Sequence, residues 1–341
     1  MFKHSSFRTG FLVSAAFLLS SCSPVYVFQS ASGHAGLLIH RKSIAKALKD
    51  PKTPPDLRAK LETAQTARQF AFDVVGLRKT SDFSTYVMIG RPAVTYLVSA
   101  SRRTKLEPYE WWFPIAGTFP YKGYFKKSRA VALRDKLERE GWDAAVSGAA
   151  AYKTPLPFSD PLPSSALDFS TGALAGLLIH EFTHGTVYFK DHMEFNESAA
   201  DFVGRTAAQD YLARRFGADS KELADYRAEL RGDQAAETVF QELYAELDAL
   251  YASPISDDDK LARRQPLFDR AQAALEKLGF QPGKLNNAVV TANRVYHSDL
   301  PFQALFERCG RDWPRFIAAL KSLDARDPAG DLRRRVASPE R

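Results

Sequence analysis

Residues 177–202 read LLIHEFTHGTVYFKDHMEFNESAADF, and this stretch decides how the rest of the chain is interpreted. His180 and His184 are four positions apart, so in a helix both rings lie on one face and can bind the same ion. Glu181 lies between them and completes an H-E-x-x-H pattern, in which two imidazoles bind zinc and the carboxylate reaches the attacking water. The alternative is an ordinary core helix, because apolar residues flank the pattern on both sides.

A hydrolytic zinc site usually has three protein ligands and one open position for water. One class of such enzymes has glycine and histidine where this chain has Val187 and Lys190, which excludes that class. Further along, Glu197 and Asp201 in NESAAD are four positions apart and share a helical face. One carboxylate can therefore reach the metal while the other hydrogen-bonds an imidazole N–H.

HEFTH followed by NESAAD resembles the gluzincins, the thermolysin-like zinc peptidases whose motif is H-E-x-x-H followed by N-E-x-x-x-D. The closer resemblance is to a family of bacterial lipoproteins classed as zinc aminopeptidases. It extends to residues 111–125, 151–162 and 286–302, so that it covers nearly the whole mature chain. The histidine-to-glutamate gap is shorter here than in thermolysin-like enzymes, which implies a tight loop.

The resemblance implies a role for each matching residue. The Zn²⁺ ligands would be His180, His184 and Glu197. Glu181 would act as the general base on a zinc-activated water, and Asp201 would orient one ligand histidine, His180.

The residue that stabilises the oxyanion is not fixed by spacing. Tyr296 is the favoured donor, and His297 and Tyr152 are alternatives. In enzymes of this class the peptide substrate adds as a strand to an exposed sheet edge beside the metal. Residues 149–154 are the candidate edge.

The sequence predicts an α+β, zincin-like fold, in which a small mixed sheet and N-terminal helices pack on a mainly helical C-terminal half. Residues 37–165 form the mixed α+β lobe in this prediction, and residues 166–325 form the helical zinc-binding lobe. Within the second lobe, the periodicity of residues 302–323 predicts one helix. Residues 326–341 are expected to be a disordered basic tail.

The N-terminus has basic residues ahead of an apolar run over residues 11–19, which is the form of a signal peptide. The run ends in LSSC, which resembles a bacterial lipobox, so residues 1–21 are predicted to be a lipoprotein signal peptide. Cys22 would then be lipidated, with residues 22–36 as a tether to the membrane. Ser23 after the cysteine favours the outer membrane of the cell envelope, with the protein facing the periplasm.

The formal net charge of +7 is mild, and no interleaved aromatic and basic motif of a nucleic-acid-binding protein is present. We therefore expect a peptide substrate and a membrane contact through Cys22, and no nucleic acid. Cys309 is the only other cysteine, which argues against a cysteine protease.

The leading hypothesis is a lipid-anchored zinc peptidase, with aminopeptidase activity implied by the resemblance. However, the G-x-M-E-N element of well-known zinc aminopeptidases is absent from the sequence. Two alternatives stay open. One is a cell-wall amidase or endopeptidase of the same chemistry, and the other is a non-catalytic envelope lipoprotein that contains zinc.

Overall fold

The computed structural model describes residues 24–113, 117–151, 158–294 and 299–338. The helices within these ranges are α1 (Pro24–Ile39), α2 (Ile44–Lys49), α3 (Pro55–Asp73), α4 (Lys127–Arg139), α5 (Ser164–Leu167), α6 (Thr171–His184), α7 (Met193–Phe216), α8 (Lys221–Ala252), α9 (Asp257–Lys277), α10 (Asn287–Arg294), α11 (Phe302–Arg308), α12 (Trp313–Lys321) and α13 (Pro328–Ala337). The strands are β1 (Lys42–Ser43), β2 (Thr85–Val87), β3 (Thr95–Ser101), β4 (Trp111–Phe113), β5 (Gly117–Phe119), β6 (Tyr121–Tyr124), β7 (Asp143–Ala149) and β8 (Leu162–Pro163). The predicted α+β class is confirmed.

The described strands are divided among three small sheets rather than the single mixed sheet that the sequence predicted. The first has the order β1-β2-β8, with an antiparallel and a parallel pair. The second is antiparallel with the order β6-β3-β7, and it leaves β7 at an edge. The third is the β4-β5 pair.

The N-terminal helices pack on the helical half, as predicted. Leu61 of α3 and Leu174 of α6 belong to one buried cluster, and the rings of Phe72 and Phe182 meet edge to face at 4.9 Å. The main core thus draws on residues from both sides of position 165.

A buried ion pair joins the helical half to the second sheet. Arg264 of α9 donates to both carboxylate oxygens of Asp143 at 2.6 and 3.0 Å, and side chains of both residues are about nine-tenths buried. The backbone N–H of Asn287 also donates to Asp143 at 3.1 Å. Because a paired guanidinium and extra hydrogen bonds offset the cost of burying the charge, this pair fixes α9 and α10 against β7.

The predicted tether was wrong for residues 24–36, which form most of α1. Leu37 of this helix packs in a small cluster with Val87 and Val94. The Tyr26 hydroxyl donates to the Gly123 carbonyl at 3.0 Å. These contacts with β2 and β6 hold the segment against the body of the protein. The predicted signal peptide and Cys22 lie outside the described residues.

The predicted disordered tail was also wrong, because residues 328–337 form α13. Asp327 caps this helix by accepting the Gly330 N–H at 2.9 Å, and Leu332 is fully buried in the main core. One buried leucine and an N-cap are sufficient to fix a short helix that is otherwise rich in arginine.

The single helix predicted over residues 302–323 is divided into α11 and α12. Gly310 and Arg311 between them have positive φ angles of 69° and 56°. Asp312 then caps α12, and Pro314 follows in its first turn. A left-handed backbone after a helix and a cap followed by proline are ordinary signals for an end and a new start.

Helices α6 and α7 approach each other closely where both carry glycine. A methyl group built on Gly204 of α7 would lie 2.7 Å from the carbonyl oxygen of Gly176 and 3.1 Å from Cβ of His180. Only a residue without a side chain fits at this crossing. The contact places the second half of α6 directly against α7.

Gly204→Ala is expected to lower the free energy of unfolding by about 1–2 kcal/mol, because the added methyl group meets a backbone oxygen that has no room to move. Urea denaturation will measure this change. Gly232→Ala in α8 is the matched control, since nothing lies within 4 Å of its added methyl group, and it should stabilise the chain by about 0.5–1 kcal/mol. Equal effects of the two substitutions would contradict the close-contact interpretation.

Candidate metal centre

Helix α6 presents the two histidines on the face that meets α7. Ser170 caps the helix by accepting the Ala173 N–H at 3.0 Å, and Leu174 and Leu178 are fully buried on its core side. His180 and His184 lie one turn apart on the other side, and their side chains are only 18% and 19% exposed. The predicted shared face of the two histidines is therefore present.

Glu197 of α7 reaches both rings. Its Oε2 lies 3.4 Å from Nε2 of His180 and 3.5 Å from Nε2 of His184, and the two Nε2 atoms are 3.0 Å apart. The potential ligand atoms of these three residues all lie within 4.8 Å of one another. The structure thus brings together the three residues that the sequence predicted as metal ligands.

The spacing of these three atoms is close to that of ligands around one tetrahedral ion. Ligands about 2.0–2.2 Å from a zinc ion lie roughly 3.3–3.6 Å from each other, and the distances here are 3.0–3.5 Å. Two imidazoles and one carboxylate are also a donor set that binds divalent transition metals. These residues could therefore hold a metal without a large rearrangement.

A tight loop joins the two helices, and Asn196 holds it in place. The Asn196 side chain accepts the Phe189 N–H at 2.8 Å and donates to the Phe189 carbonyl at 2.7 Å. Asn196 is 3% exposed, so these two bonds satisfy backbone groups that water does not reach. The asparagine of the NESAAD segment therefore sets the loop from which the next residue, Glu197, reaches the histidines.

The electrostatics of the cluster favour a charged Glu197. Burial raises the pKa of this carboxyl, but hydrogen bonds from His180 and His184 outweigh burial and lower the pKa to about 2. Burial acts to lower the pKa of His180, but the hydrogen bond to Glu197 and the negative charges of Glu181, Glu197 and Asp201 together outweigh burial, and the pKa is raised. The imidazoles and the carboxylate therefore stabilise each other.

Glu181 is 8% exposed and lines the same cleft as the three clustered residues. Burial raises the pKa of its carboxyl, whereas His180 and His184 act in the opposite direction. A carboxylate with little access to bulk water beside a candidate metal centre has the position that a general base requires.

Asp201 lies one helical turn after Glu197 and lines the same cleft. Its Oδ1 accepts a hydrogen bond from Nε of Arg205 at 2.9 Å. Asp201 also contributes to the raised pKa of His180 through its charge. Its predicted role in orienting His180 stays a prediction.

The cleft has a volume of about 460 Å³. Residues 149–151 form part of its wall. The edge strand β7 ends at Ala149, so residues 150–151 of the predicted edge 149–154 lie beyond the strand, and residues 152–154 lie outside the described residues. Tyr121 of β6 lines it as well. The favoured oxyanion donor Tyr296 and the alternatives His297 and Tyr152 lie outside the described residues.

Sequence reasoning missed one end of the cleft. Four of its residues come from α7 and α8: Arg205, Tyr226, Glu229 and Asp233. Pairs of carboxylates four positions apart, such as Glu229 and Asp233, occur on many exposed helices, so their spacing gave no signal. The glycines of TGALAG in α6, spaced four apart, are a signal that could have indicated a closely packed element there.

The fold and the cleft together define an α+β protein with a buried cluster of potential metal ligands. A family model described as "Putative aminopeptidase" matches residues 25–335. The chain belongs to this family, whose description places it among the peptidases, and the predicted aminopeptidase family is confirmed to that extent. No curated protein and no solved structure matched the chain.

Asn196→Ala is expected to destabilise the protein, because two buried backbone groups of Phe189 lose their partners at a cost of about 1–3 kcal/mol each. Thermal and urea denaturation will measure this loss. The control is Gln241→Ala, which removes an exposed bond to Glu237 and should change stability by less than about 0.5 kcal/mol. If the two variants were equally stable, Asn196 would not be the anchor of the loop.

Proposed function

We propose that this protein is a zinc-dependent peptidase of the gluzincin type that hydrolyses peptide bonds, with aminopeptidase activity as its family suggests. The observation that carries the proposal is the mutual contact of His180, His184 and Glu197 beside the buried carboxylate of Glu181. The same four residues have the spacing of the H-E-x-x-H and N-E-x-x-x-D motifs.

His180, His184 and Glu197 would hold the metal ion. When bound, Zn²⁺ supplies a Lewis acid that polarises the substrate carbonyl and acidifies water. Glu181 accepts the proton of the attacking water and then passes that proton to the leaving amine. Burial of its carboxylate keeps bulk water from competing for this proton.

The substrate in this proposal is an extended peptide that lies along β7. This strand is at the edge of its sheet, and residues 149–151 border the cleft beside the clustered residues. The backbone groups of an edge strand are available to pair with a peptide, which would direct one peptide bond toward Glu181.

We further propose that the protein is attached to the cell envelope through lipid on Cys22. The support is the lipobox-like sequence LSSC. Among the described residues, no helix is both long and apolar enough to cross a membrane. The anchor would stand two residues before α1, so the cleft would stay close to the bilayer, at the outer membrane in this proposal.

The ligand set and the base are tested by two substitutions in the full-length protein. The wild type is expected to bind about one Zn²⁺ per chain, and Glu197→Ala should lose both the metal and the activity. The loss of affinity should exceed the roughly 10- to 100-fold that removal of an outer hydrogen-bond partner causes. Glu181→Gln should keep the metal and lose about 10²- to 10⁴-fold in kcat.

Metal content is measured by elemental mass spectrometry. Turnover is measured on a panel of peptides with free and with acetylated amino termini. Stoichiometric zinc in Glu197→Ala would show that the ligand set is wrong. Full activity in Glu181→Gln would exclude this glutamate as the base. Zinc in the wild type without cleavage of any peptide would favour a non-catalytic role.

Lipidation is tested by mass spectrometry of the protein extracted from bacterial membranes. The mature chain should begin at Cys22 and carry two or three acyl chains, and Cys22→Ser should remove the acyl mass and release the protein from the membrane fraction. A chain that begins elsewhere, or an unmodified Cys22, would contradict the anchor.

A further inference from the structure

One end of the cleft is acidic. Asp201 of α7 and Glu229 and Asp233 of α8 line it together with Arg205, and we call these four residues the acidic end. These four described residues, three carboxylates and one guanidinium, carry a formal charge of −2 between them. The acidic end shares its cavity with the clustered histidines, so anything bound there lies in the same cleft as the candidate metal centre.

The one cation of the acidic end is already engaged. Arg205 donates to Asp201 at 2.9 Å, and its guanidinium lies 3.9 Å from Oδ2 of Asp233. Glu229 accepts a hydrogen bond from a neutral donor, the hydroxyl of Ser170, at 2.7 Å. The guanidinium therefore offers little to a substrate carboxylate, and the surplus negative charge favours a cationic group.

Tyr226 adds a hydroxyl group to this end of the cleft. The residue is 3% exposed, its ring packs on Gly172, and its hydroxyl oxygen lies against Gly176, which also lines the cleft. Among the described residues, no hydrogen bond involves this hydroxyl. The hydroxyl therefore faces the cleft without a described hydrogen-bond partner, so it is available to a ligand bound there.

The hydroxyl lies within electrostatic range of all four members of the acidic end, since each of them influences its pKa. Burial raises this pKa further above the usual tyrosine value, so the group stays neutral and can accept a hydrogen bond. A primary ammonium group has three N–H donors, and the carboxylate oxygens and the tyrosine oxygen are acceptors that can receive them.

We propose that the acidic end of the cleft, with the Tyr226 hydroxyl, binds a primary ammonium group of the peptide substrate, either its free amino terminus or a lysine side chain. This inference rests on the proposed peptidase function. Asp201 and the ligand Glu197 are one helical turn apart, about 6 Å along α7. A peptide chain covers this length in one or two residues, so an amino terminus bound there would leave the first or second peptide bond near Glu181.

The first test compares peptides with free and acetylated amino termini. Asp233→Asn, Glu229→Gln and Tyr226→Phe should each reduce the preference for the free terminus, measured as the ratio of kcat/KM values, by about 10-fold or more for the carboxylates. The substitutions should raise KM for peptides with a free amino terminus and leave kcat nearly unchanged. Tyr226→Phe keeps the ring on Gly172, so any loss of preference in this variant is due to the missing hydroxyl alone.

Asp248→Asn is the matched control, since Asp248 is exposed on the same helix and outside the cleft. It removes the same charge from α8 and should leave the preference within about twofold of the wild type. A drop equal to that of Asp233→Asn would mean that the net charge of the helix, rather than a built pocket, attracts the substrate.

A binding measurement separates this inference from the proposed function. Leucinamide, Nα-acetyl-lysinamide and N-acetyl-leucinamide are titrated into the full-length protein, before and after metal is removed with a chelator, and followed by NMR. Binding of leucinamide that Asp233→Asn weakens supports recognition of the amino terminus, and binding of Nα-acetyl-lysinamide supports recognition of the lysine side chain. Because these results do not depend on zinc or turnover, they would stand even if the metal proposal failed.

The inference is wrong if N-acetyl-leucinamide, which has no ammonium group, binds as well as the other two. It is also wrong if none of the three binds, or if the acidic-end variants bind all of them like the wild type.

Discussion

The contact between α6 and α7 at Gly176 and Gly204 is the constraint on which the rest of the site depends. Any side chain at Gly204 would collide with the backbone of α6 and with Cβ of His180. Because neither glycine has a side chain at the crossing, the helices approach until Glu197 is within 3.5 Å of both histidines. The wall of the cleft, the packing of Tyr226 and the reach of the loop through Asn196 all follow from this one close approach.

This closeness has an energetic cost that the chain offsets locally. His180, His184 and Glu197 are each less than one-fifth exposed, and burial of unpaired ionisable groups is strongly unfavourable. Their mutual hydrogen bonds lower the pKa of Glu197 to about 2 and so keep it charged. Asn196 similarly satisfies the backbone of the loop. The polar groups of the site are therefore held in position by each other, on a scaffold whose apolar contacts lie on the opposite side of α6.

Each half of the candidate metal centre could be predicted from the sequence because its geometry is local, whereas the meeting of the two halves was expected only from the family resemblance. Residues four apart on a helix share a face whatever the fold around them, so His180 with His184, and Glu197 with Asp201, were recognisable from spacing alone. Elements that depend on distant partners could not be predicted in this way. Helix α1 is fixed by contacts with Val87 and Val94, and α13 by the burial of Leu332. The residues that α8 contributes to the acidic end were missed for the same reason, because α8 meets α6 only through tertiary packing.

The position of the acidic end bears on how a free amino terminus can be selected without the G-x-M-E-N element. The absence of that element argues against aminopeptidase activity only if negative charge cannot reach the cleft by another route. In this chain, Glu229 and Asp233 reach the cleft from α8, which follows both motif helices in sequence and packs against them. If a chain end is selected by charge in the cavity, as proposed, the fold can supply that charge from any helix that lines the cleft. The absence of one sequence element therefore carries less weight than the charge that the packed helices bring together.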